Sequence, residues 1–241
     1  MEVANVLFYE AHLVFFGRNV MALSKLSRSI KDSVAVVTGA ASGMGRATAH
    51  LFGDEGAKVA LLDVNNAALE KVDEEMRDAG YDSKAWCVDL LDGQIIKKVF
   101  LEISEHFGGI DILINNAGIS RFAPIDNDDY EIAWHESIAV LLTAHTLTVR
   151  AALPQLRKAK NPRIVNIAST EGLGATRYGS PYTAAKTGVI GLTRSLAVEL
   201  GPEKITVNCV CPGPINTGMT STISEEDKAV FARRRTALRR Y

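Results

Sequence analysis

The sequence predicts an α/β fold built on a doubly wound parallel sheet with helices on both faces. From Ser33 onward, short β-branched runs alternate with longer stretches of helical period, which is the pattern of parallel βαβ units. Two of the short runs, 34–37 and 164–167, are also almost continuously apolar, as expected for strands that are covered on both faces. Ligands of such sheets bind at the carboxyl ends of the strands.

The individual elements follow in chain order. We predict strands at the β-branched and apolar runs 34–38, 59–63, 84–88, 112–115, 163–168 and 206–211. The stretches of helical period between them predict helices at 46–55, 67–79, 94–107, 130–158 and 181–200. Strands and helices therefore alternate over most of the chain beyond Ser33.

The size and charge of the chain limit its class of function. With 241 residues, 47% of them hydrophobic, the chain is long enough for one large domain with a filled core, which we assign to residues 32–241. The formal net charge of -1 gives no electrostatic footprint for nucleic acid. The arginines near the end are interpreted as a solvated or partner-facing helix end: Arg233, Arg234, Arg235, Arg239 and Arg240.

The three cysteines, Cys87, Cys209 and Cys211, cannot all pair with one another, and their spacing matches no zinc site. We therefore expect no bound metal and a reducing, cytoplasmic location.

Residues 1–31 are predicted to form an extension before the domain. Glu10, His12 and Arg18 interrupt its apolar stretch, so no run reaches the about 18 apolar residues of a membrane-spanning helix. Glu2 stands where a secretory signal would be basic. We expect no integral membrane span, and interpret the stretch as an amphipathic helix that packs on the domain or a neighbouring subunit, with membrane-surface contact as the alternative.

A glycine-rich turn, Thr38-Gly39-Ala40-Ala41-Ser42-Gly43-Met44-Gly45, joins the first predicted strand to the first helix. Glycines there let backbone amides approach a pyrophosphate at the helix amino terminus. Asp63 closes the second strand, where a carboxylate accepts hydrogen bonds from a ribose diol and repels a 2′-phosphate. Because Ser42 offers that phosphate no cation, we predict NAD rather than NADP. The alternative is a turn that serves only tight packing.

Tyr182 and Lys186 lie one helical turn apart on one face of the predicted helix 181–200. A free phenol has a pKa of about 10 and gives up its proton poorly near neutrality, whereas a nearby ammonium stabilises the phenolate. The pair predicts an acid/base group, although the same spacing also occurs on solvated helix faces.

Taken in order, these motifs resemble those of the short-chain dehydrogenase/reductase family over residues 33–220. The resemblance rests on the glycine turn, on Asn115-Asn116-Ala117-Gly118, on Tyr182 with Lys186, and on Pro212-Gly213. Ser169 precedes Tyr182 by the separation usual in the family. A member is expected to have a Rossmann-like fold and to interconvert a secondary alcohol and a ketone by hydride transfer to or from NAD.

The resemblance also implies residue roles. Tyr182 would be the acid/base, Lys186 would lower its pKa and hold the nicotinamide ribose, and Ser169 would bind the substrate oxygen. The NAD contacts would come from Gly39, Ser42, Gly43, Met44, Gly45, Asp63, Asp89, Leu90, Asn116, Gly118, Tyr182, Lys186, Pro212, Gly213, Ile215 and Thr217. For Asp89 the alternative is a cap on the next turn, and for Pro212 and Gly213 it is a rigid turn alone.

Two departures from the family pattern bear on activity. Leu141 stands where the resemblance leads us to expect an asparagine that supports proton relay to the lysine, and His145 or Ser137 would be its substitute or an ordinary helix residue. The chain also ends at Tyr241, before the further helix and final strand of usual members. The sheet edge left open would need cover, for which the apolar amino-terminal segment is one candidate. A truncated sequence is the alternative.

The substrate is the feature that the sequence determines least. The pocket is expected to be lined by Arg121, Phe122, Glu171, Leu173, Tyr178, Met219 and Ile223, a mixture that suits a medium-sized secondary alcohol or ketone. One alternative is an NADPH-dependent 3-oxoacyl-carrier-protein reductase whose acidic carrier meets the terminal arginines. Another is a protein that binds or senses NAD without turnover. The resemblance further implies a homodimer or homotetramer formed through helices 130–158 and 181–200.

Overall fold

The computed structural model describes residues 29–241. They form a six-stranded, fully parallel sheet with the strand order β3-β2-β1-β4-β5-β6. The strands are β1 Val34–Thr38, β2 Lys58–Asp63, β3 Ser83–Cys87, β4 Ile112–Asn115, β5 Arg163–Ile167 and β6 Thr206–Val210. The predicted α/β class and parallel sheet are confirmed, and each predicted strand ends within one residue of its observed bounds. Most of the extension predicted at 1–31 lies outside the described residues.

Seven helices accompany the strands within the described part of the chain. They are α1 Gly43–Asp54, α2 Asn66–Asp78, α3 Gly93–Phe107, α4 Tyr130–Ile138, α5 Ala144–Leu156, α6 Ser180–Leu200 and α7 Glu225–Arg235. The helix predicted at 130–158 is interrupted by a π-helical segment, Ala139–Thr143, between α4 and α5. Such segments are found mostly as single turns within helices, often near functional sites.

Helix α7 lies outside the sequence-predicted elements. Ser224 caps it by accepting a hydrogen bond from the Asp227 amide at 3.1 Å. Its first turn is acidic and its last turn is basic, which complements the helix dipole at both ends. Local capping and charge, rather than a regular apolar stripe, therefore define this helix.

Alternate residues of β1 enter two separate cores, as the two-residue period of a strand requires. Val34 and Val36 pack with side chains of α3 and α5 on one face, and Ala35 and Val37 pack with those of α1 and α2 on the other. Helices thus cover both faces of the sheet. The strand order reverses between β1 and β4, and a crevice is expected at the carboxyl ends of these two strands.

By length and composition alone, the 27-residue run Tyr130–Leu156 could cross a membrane, since it contains an 18-residue window with a mean hydropathy of 1.3. Val149, Ala152 and Leu156 of this run are buried in the core beneath the sheet, so it serves as a core helix here. Among residues 29–241, no other helix meets that criterion.

The carboxyl-terminal edge of the sheet is β6. Among the described residues this strand pairs only with β5, and Val210 at its end is 49% exposed. The cover that we expect from the amino-terminal segment falls on residues that the structure does not describe.

Candidate active site

A cleft of about 710 Å³ opens at the crevice beyond β1 and β4. Its walls are formed by most of the predicted cofactor and catalytic residues, which come from six separate stretches of the chain. These are Gly39, Ser42, Gly43, Met44, Asp63, Asn116, Gly118, Ser169, Tyr182, Pro212, Gly213, Ile215 and Thr217. The fold therefore brings distant sequence motifs to one place.

The glycine turn is constrained by close backbone approach. Gly39 has a φ of +67°, in the left-handed region, and a Cβ there would lie 2.8 Å from the Ala117 Cα. A Cβ on Gly45 would lie 2.0 Å from the Gly39 carbonyl oxygen. Ser42 provides no side-chain cap for α1, which leaves the amides of the first turn to bind an anion. This cradle fits the pyrophosphate of a dinucleotide.

Asp63 and Asn116 hold the turn from opposite sides. The Asp63 carboxylate accepts hydrogen bonds from the Ala41 amide at 3.1 Å and the Asn65 amide at 2.9 Å. The Asn116 side-chain amide donates to the Thr38 carbonyl at 2.9 Å. Both carboxylate oxygens of Asp63 keep capacity for further donors, such as those of a ribose.

Thr38 is a site residue that the sequence analysis does not single out. Its hydroxyl oxygen accepts the backbone amides of Asn116 and Ala117, each at 3.0 Å, and so ties the end of β1 to the segment after β4. The signal in the sequence is a hydroxyl residue between a buried strand and the first glycine of the turn.

Ser169, Tyr182 and Lys186 converge beside the end of β5. Ser169 caps a short 3₁₀ turn, Thr170–Gly172, and its Oγ accepts the Glu171 amide at 3.1 Å. Tyr182 lies in the first turn of α6, and Lys186 follows on the same helix. The Lys186 Nζ donates to the Ile167 carbonyl at 2.7 Å and lies 5.8 Å from the centre of the Tyr182 ring.

Burial governs the protonation of this group. It raises the pKa of Tyr182; the Ser169 hydroxyl opposes the shift and the Glu171 carboxylate adds to it. The lowering of this pKa that the resemblance implies is therefore not present in the described state, in which the Lys186 ammonium is directed to a backbone carbonyl. Burial also lowers the pKa of Lys186 to about 8.

Leu141 and His145 occupy the region in which an asparagine is expected. Leu141 is fully buried in the π-helical segment, and its Cδ2 would lie 3.2 Å from a Cβ placed on Gly118. His145 lies one turn further along, and its Nε2 is 3.2 Å from the Asn115 carbonyl oxygen. Burial, followed by the charge of Lys186, lowers the pKa of His145 to about 4. Leu141 thus supports the cleft wall, and a neutral His145 lies within the field of Lys186.

Several predicted residues lie elsewhere. Asp89 and Leu90 do not line the cleft; the Asp89 carboxylate instead accepts the Leu91 amide at 2.9 Å, the turn contact named as its alternative. Arg121 pairs with Glu136, and Leu173 is 70% exposed. The substrate end of the cleft contains further residues that the sequence analysis does not name, partly because they belong to or follow α7: Ser120, Thr176, Thr222, Asp227, Phe231 and Tyr241.

Comparisons with known proteins agree with this geometry. The sequence profile described as short chain dehydrogenase matches residues 33–228. BbsD, a subunit of a hydroxy(phenyl)methylsuccinyl-CoA dehydrogenase from Thauera aromatica, is 38% identical over 199 residues, which are 83% of this chain and 79% of that protein. The 3-oxoacyl-acyl-carrier-protein reductase FabG of Vibrio cholerae is 34% identical over 200 residues, 83% of this chain and 80% of that protein.

Solved structures agree as well. Carveol dehydrogenase from Mycobacterium avium, crystallised in complex with NAD, is similar with a TM-score of 0.77 and 29% sequence identity. The similarity covers 84% of this chain and 77% of that chain.

Proposed function

The chain belongs to the short-chain dehydrogenase/reductase family and is an oxidoreductase, and on that basis we propose that it interconverts a secondary alcohol and a ketone with NAD as the hydride carrier. The observation that supports this most is that Ser169 and Tyr182 line a cleft that also contains the glycine cradle, with the Nζ of the buried Lys186 5.8 Å from the centre of the Tyr182 ring. A carveol dehydrogenase with similar structure was crystallised with NAD.

The protein side chains would handle the proton and the substrate oxygen, since the nicotinamide supplies the hydride chemistry when it is bound. The Tyr182 hydroxyl donates a proton to the ketone oxygen during reduction and accepts one from the alcohol during oxidation. The Ser169 hydroxyl donates to the same substrate oxygen and fixes its position. Both groups face the cleft from the end of β5 and the start of α6.

Lys186 would provide the positive charge that a Tyr182 phenolate requires. In the described state, in which the Lys186 ammonium is directed to the Ile167 carbonyl, burial raises the pKa of Tyr182 and keeps the phenol protonated. The pKa of about 8 leaves the Lys186 amine mostly protonated at neutral pH. Lys186 is therefore a cation near neutral pH and loses its charge in alkaline solution.

The preference for NAD would come from Asp63. Its carboxylate stands at the cofactor end of the cleft and would repel a 2′-phosphate. We expect the double variant Asp63→Ala with Val64→Arg to raise the ratio of kcat/KM with NADP to that with NAD by about tenfold or more, because a repulsive charge becomes an attractive one. Val64 is suitable because it is 69% exposed.

Steady-state kinetics with both cofactors measures this ratio. Asp63→Asn is the matched control, because it removes the charge but keeps one oxygen acceptor; the Ala41 and Asn65 amides donate to different carboxylate oxygens, so one of the two bonds is retained. An unchanged ratio in the double variant would remove Asp63 from cofactor selection.

A 3-oxoacyl-carrier-protein reductase using NADPH is the second candidate. The similarity to FabG and the exposed arginines at the end of α7 favour it. Against it stands Asp63, which opposes the 2′-phosphate of NADPH. A protein that senses NAD without turnover is the third candidate, and it rests on Leu141. An assay of NAD reduction with a panel of secondary alcohols separates the candidates. We expect secondary alcohols to be oxidised with NAD although no carrier protein is present.

A further inference from the structure

The substrate end of the cleft is acidic. The lining of the cleft as a whole contains three acidic side chains, Asp63, Glu171 and Asp227. No lysine, arginine or histidine is among the lining residues that the structure describes. Asp63 belongs to the cofactor end. Glu171 and Asp227 therefore set the charge that a substrate meets.

Glu171 lies directly beside the reacting group. Its backbone amide donates to the Ser169 Oγ at 3.1 Å, and its carboxylate contributes to the raised pKa of Tyr182, after burial and the Ser169 hydroxyl. One carboxylate oxygen, Oε1, accepts the Thr176 hydroxyl at 2.9 Å. The loop that holds Ser169 thus fixes Glu171 as well.

The other oxygen, Glu171 Oε2, is shielded from solvent and accepts no hydrogen bond from any residue between 29 and 241. A shielded carboxylate oxygen without a donor is costly. A ligand in the cleft is the natural source of that donor, because Glu171 lines the cleft next to the serine that would hold the substrate oxygen.

We propose that Glu171 is a specificity-determining residue that binds a hydrogen-bond donor on the carbon next to the reacting carbinol. The preferred substrates are then vicinal diols or amino alcohols, and 3-hydroxy acids, which carry a carboxylate on that neighbouring carbon, are disfavoured by charge repulsion. This inference rests on the proposed alcohol dehydrogenase function and names its substrate class.

Four compounds of similar size test it: 2-methylcyclohexanol, cyclohexane-1,2-diol, 2-aminocyclohexanol and 2-hydroxycyclohexanecarboxylate. With NAD, the diol and the amine should exceed the methyl compound in kcat/KM by about tenfold or more, as a hydrogen bond to a charged group predicts. The carboxylate should be the poorest of the four.

Variants of Glu171 distinguish a hydroxyl donor, as in the diol, from an ammonium donor, as in the amino alcohol. Glu171→Gln keeps an acceptor oxygen but loses the charge, so it should abolish the preference for the amine and retain part of that for the diol. Glu171→Leu should abolish both. Glu203→Gln is the matched control: Glu203 pairs with Arg157 at 2.6 Å and does not line the cleft, so its loss of charge should leave the ranking unchanged.

Equal turnover of the methyl, diol and amino compounds by the unaltered protein would overturn this inference and leave the proposed function intact. So would a folded Glu171→Leu protein with the original ranking. Thermal shifts of the NAD complex by the same compounds give a second measurement that needs neither turnover nor a variant, and equal shifts would equally overturn it. Absence of turnover with every alcohol in a broad panel would instead count against the proposed function itself.

Discussion

Tyr182 and Lys186 are both shifted by burial toward their neutral forms, since burial raises the pKa of the phenol and lowers that of the amine to about 8. A phenolate at this site therefore needs a stabilising charge, the role that we propose for Lys186. The sequence predicts the identity of both residues from their helical spacing. It could not predict the direction of the Tyr182 shift, because that direction depends on how the surrounding elements pack.

The pH dependence of ketone reduction tests the role of the amine. Since Lys186 is charged below its pKa of about 8, kcat/KM for reduction should be constant near neutrality and fall as the pH rises through about 8. In Lys186→Arg the cation persists to higher pH, so the fall should move to higher pH even if the overall rate drops. The same midpoint in both proteins would exclude Lys186 as its origin.

His145 should make stability depend on pH. Its pKa is about 4 in the folded protein and about 6.5 in an unfolded chain. Between these values the unfolded state binds more protons than the folded state. The contribution of His145 to the free energy of unfolding is therefore complete above about pH 6.5 and is lost as the pH falls toward 4, by up to about 3 kcal/mol.

Denaturant unfolding of the unaltered protein and of His145→Gln at pH 7 and pH 4.5 measures this dependence. Carboxylates contribute to the pH dependence of stability in both proteins. The difference between the two proteins in the stability lost from pH 7 to pH 4.5 therefore isolates the contribution of His145. We expect the variant to lose less stability than the unaltered protein on acidification. An equal loss of stability in the two proteins would contradict the buried, neutral state of His145.

Among the elements, strands are predicted most accurately. Residues buried on both faces of a parallel sheet are mostly apolar, and the runs 34–38 and 112–115 match β1 and β4 at both ends. The π-helical segment and α7 are not predicted. The first depends on contacts between helices and the wall of the cleft, and the second has its signals in its caps and charges.

Leu141 in the π-helical segment supports the cleft wall against Gly118. Because Leu141 is fully buried, Leu141→Ala should lower the free energy of unfolding by about 2–5 kcal/mol. Leu91→Ala serves as the control; Leu91 is 52% exposed, and its truncation should change the free energy of unfolding by less than about 0.5 kcal/mol. Equal, small effects in urea unfolding would show that Leu141 is not packed as described.

The whole molecule places its site where the strand order reverses, and this explains why motifs from distant parts of the chain meet. Sequence order alone predicted the edge of the sheet at which the site lies. It could not predict the substrate end, since that end is completed by α7 and the residues after it. Asp89 illustrates the same limit: it follows a strand, but its carboxylate closes a local turn.

Assembly is a property of the whole molecule that remains a prediction. We expect a homodimer or homotetramer in which α4, α5 and α6 meet their copies, and Ile132 on α4 is 58% exposed. Ile132→Glu should therefore shift the sedimentation coefficient toward that of the monomer, because a charge would be buried in the interface. A monomeric unaltered protein, or an assembly insensitive to this change, would contradict the expected interface.

The central claim is that the Tyr182 hydroxyl transfers the proton. The most direct measurement compares Tyr182→Phe with Tyr178→Phe, a control whose side chain is 46% exposed and outside the lining of the cleft. We predict that Tyr182→Phe lowers kcat by at least about a hundredfold, the range of general acid/base catalysis, with NAD affinity nearly unchanged, and that Tyr178→Phe changes neither. Full turnover in Tyr182→Phe would contradict the mechanism.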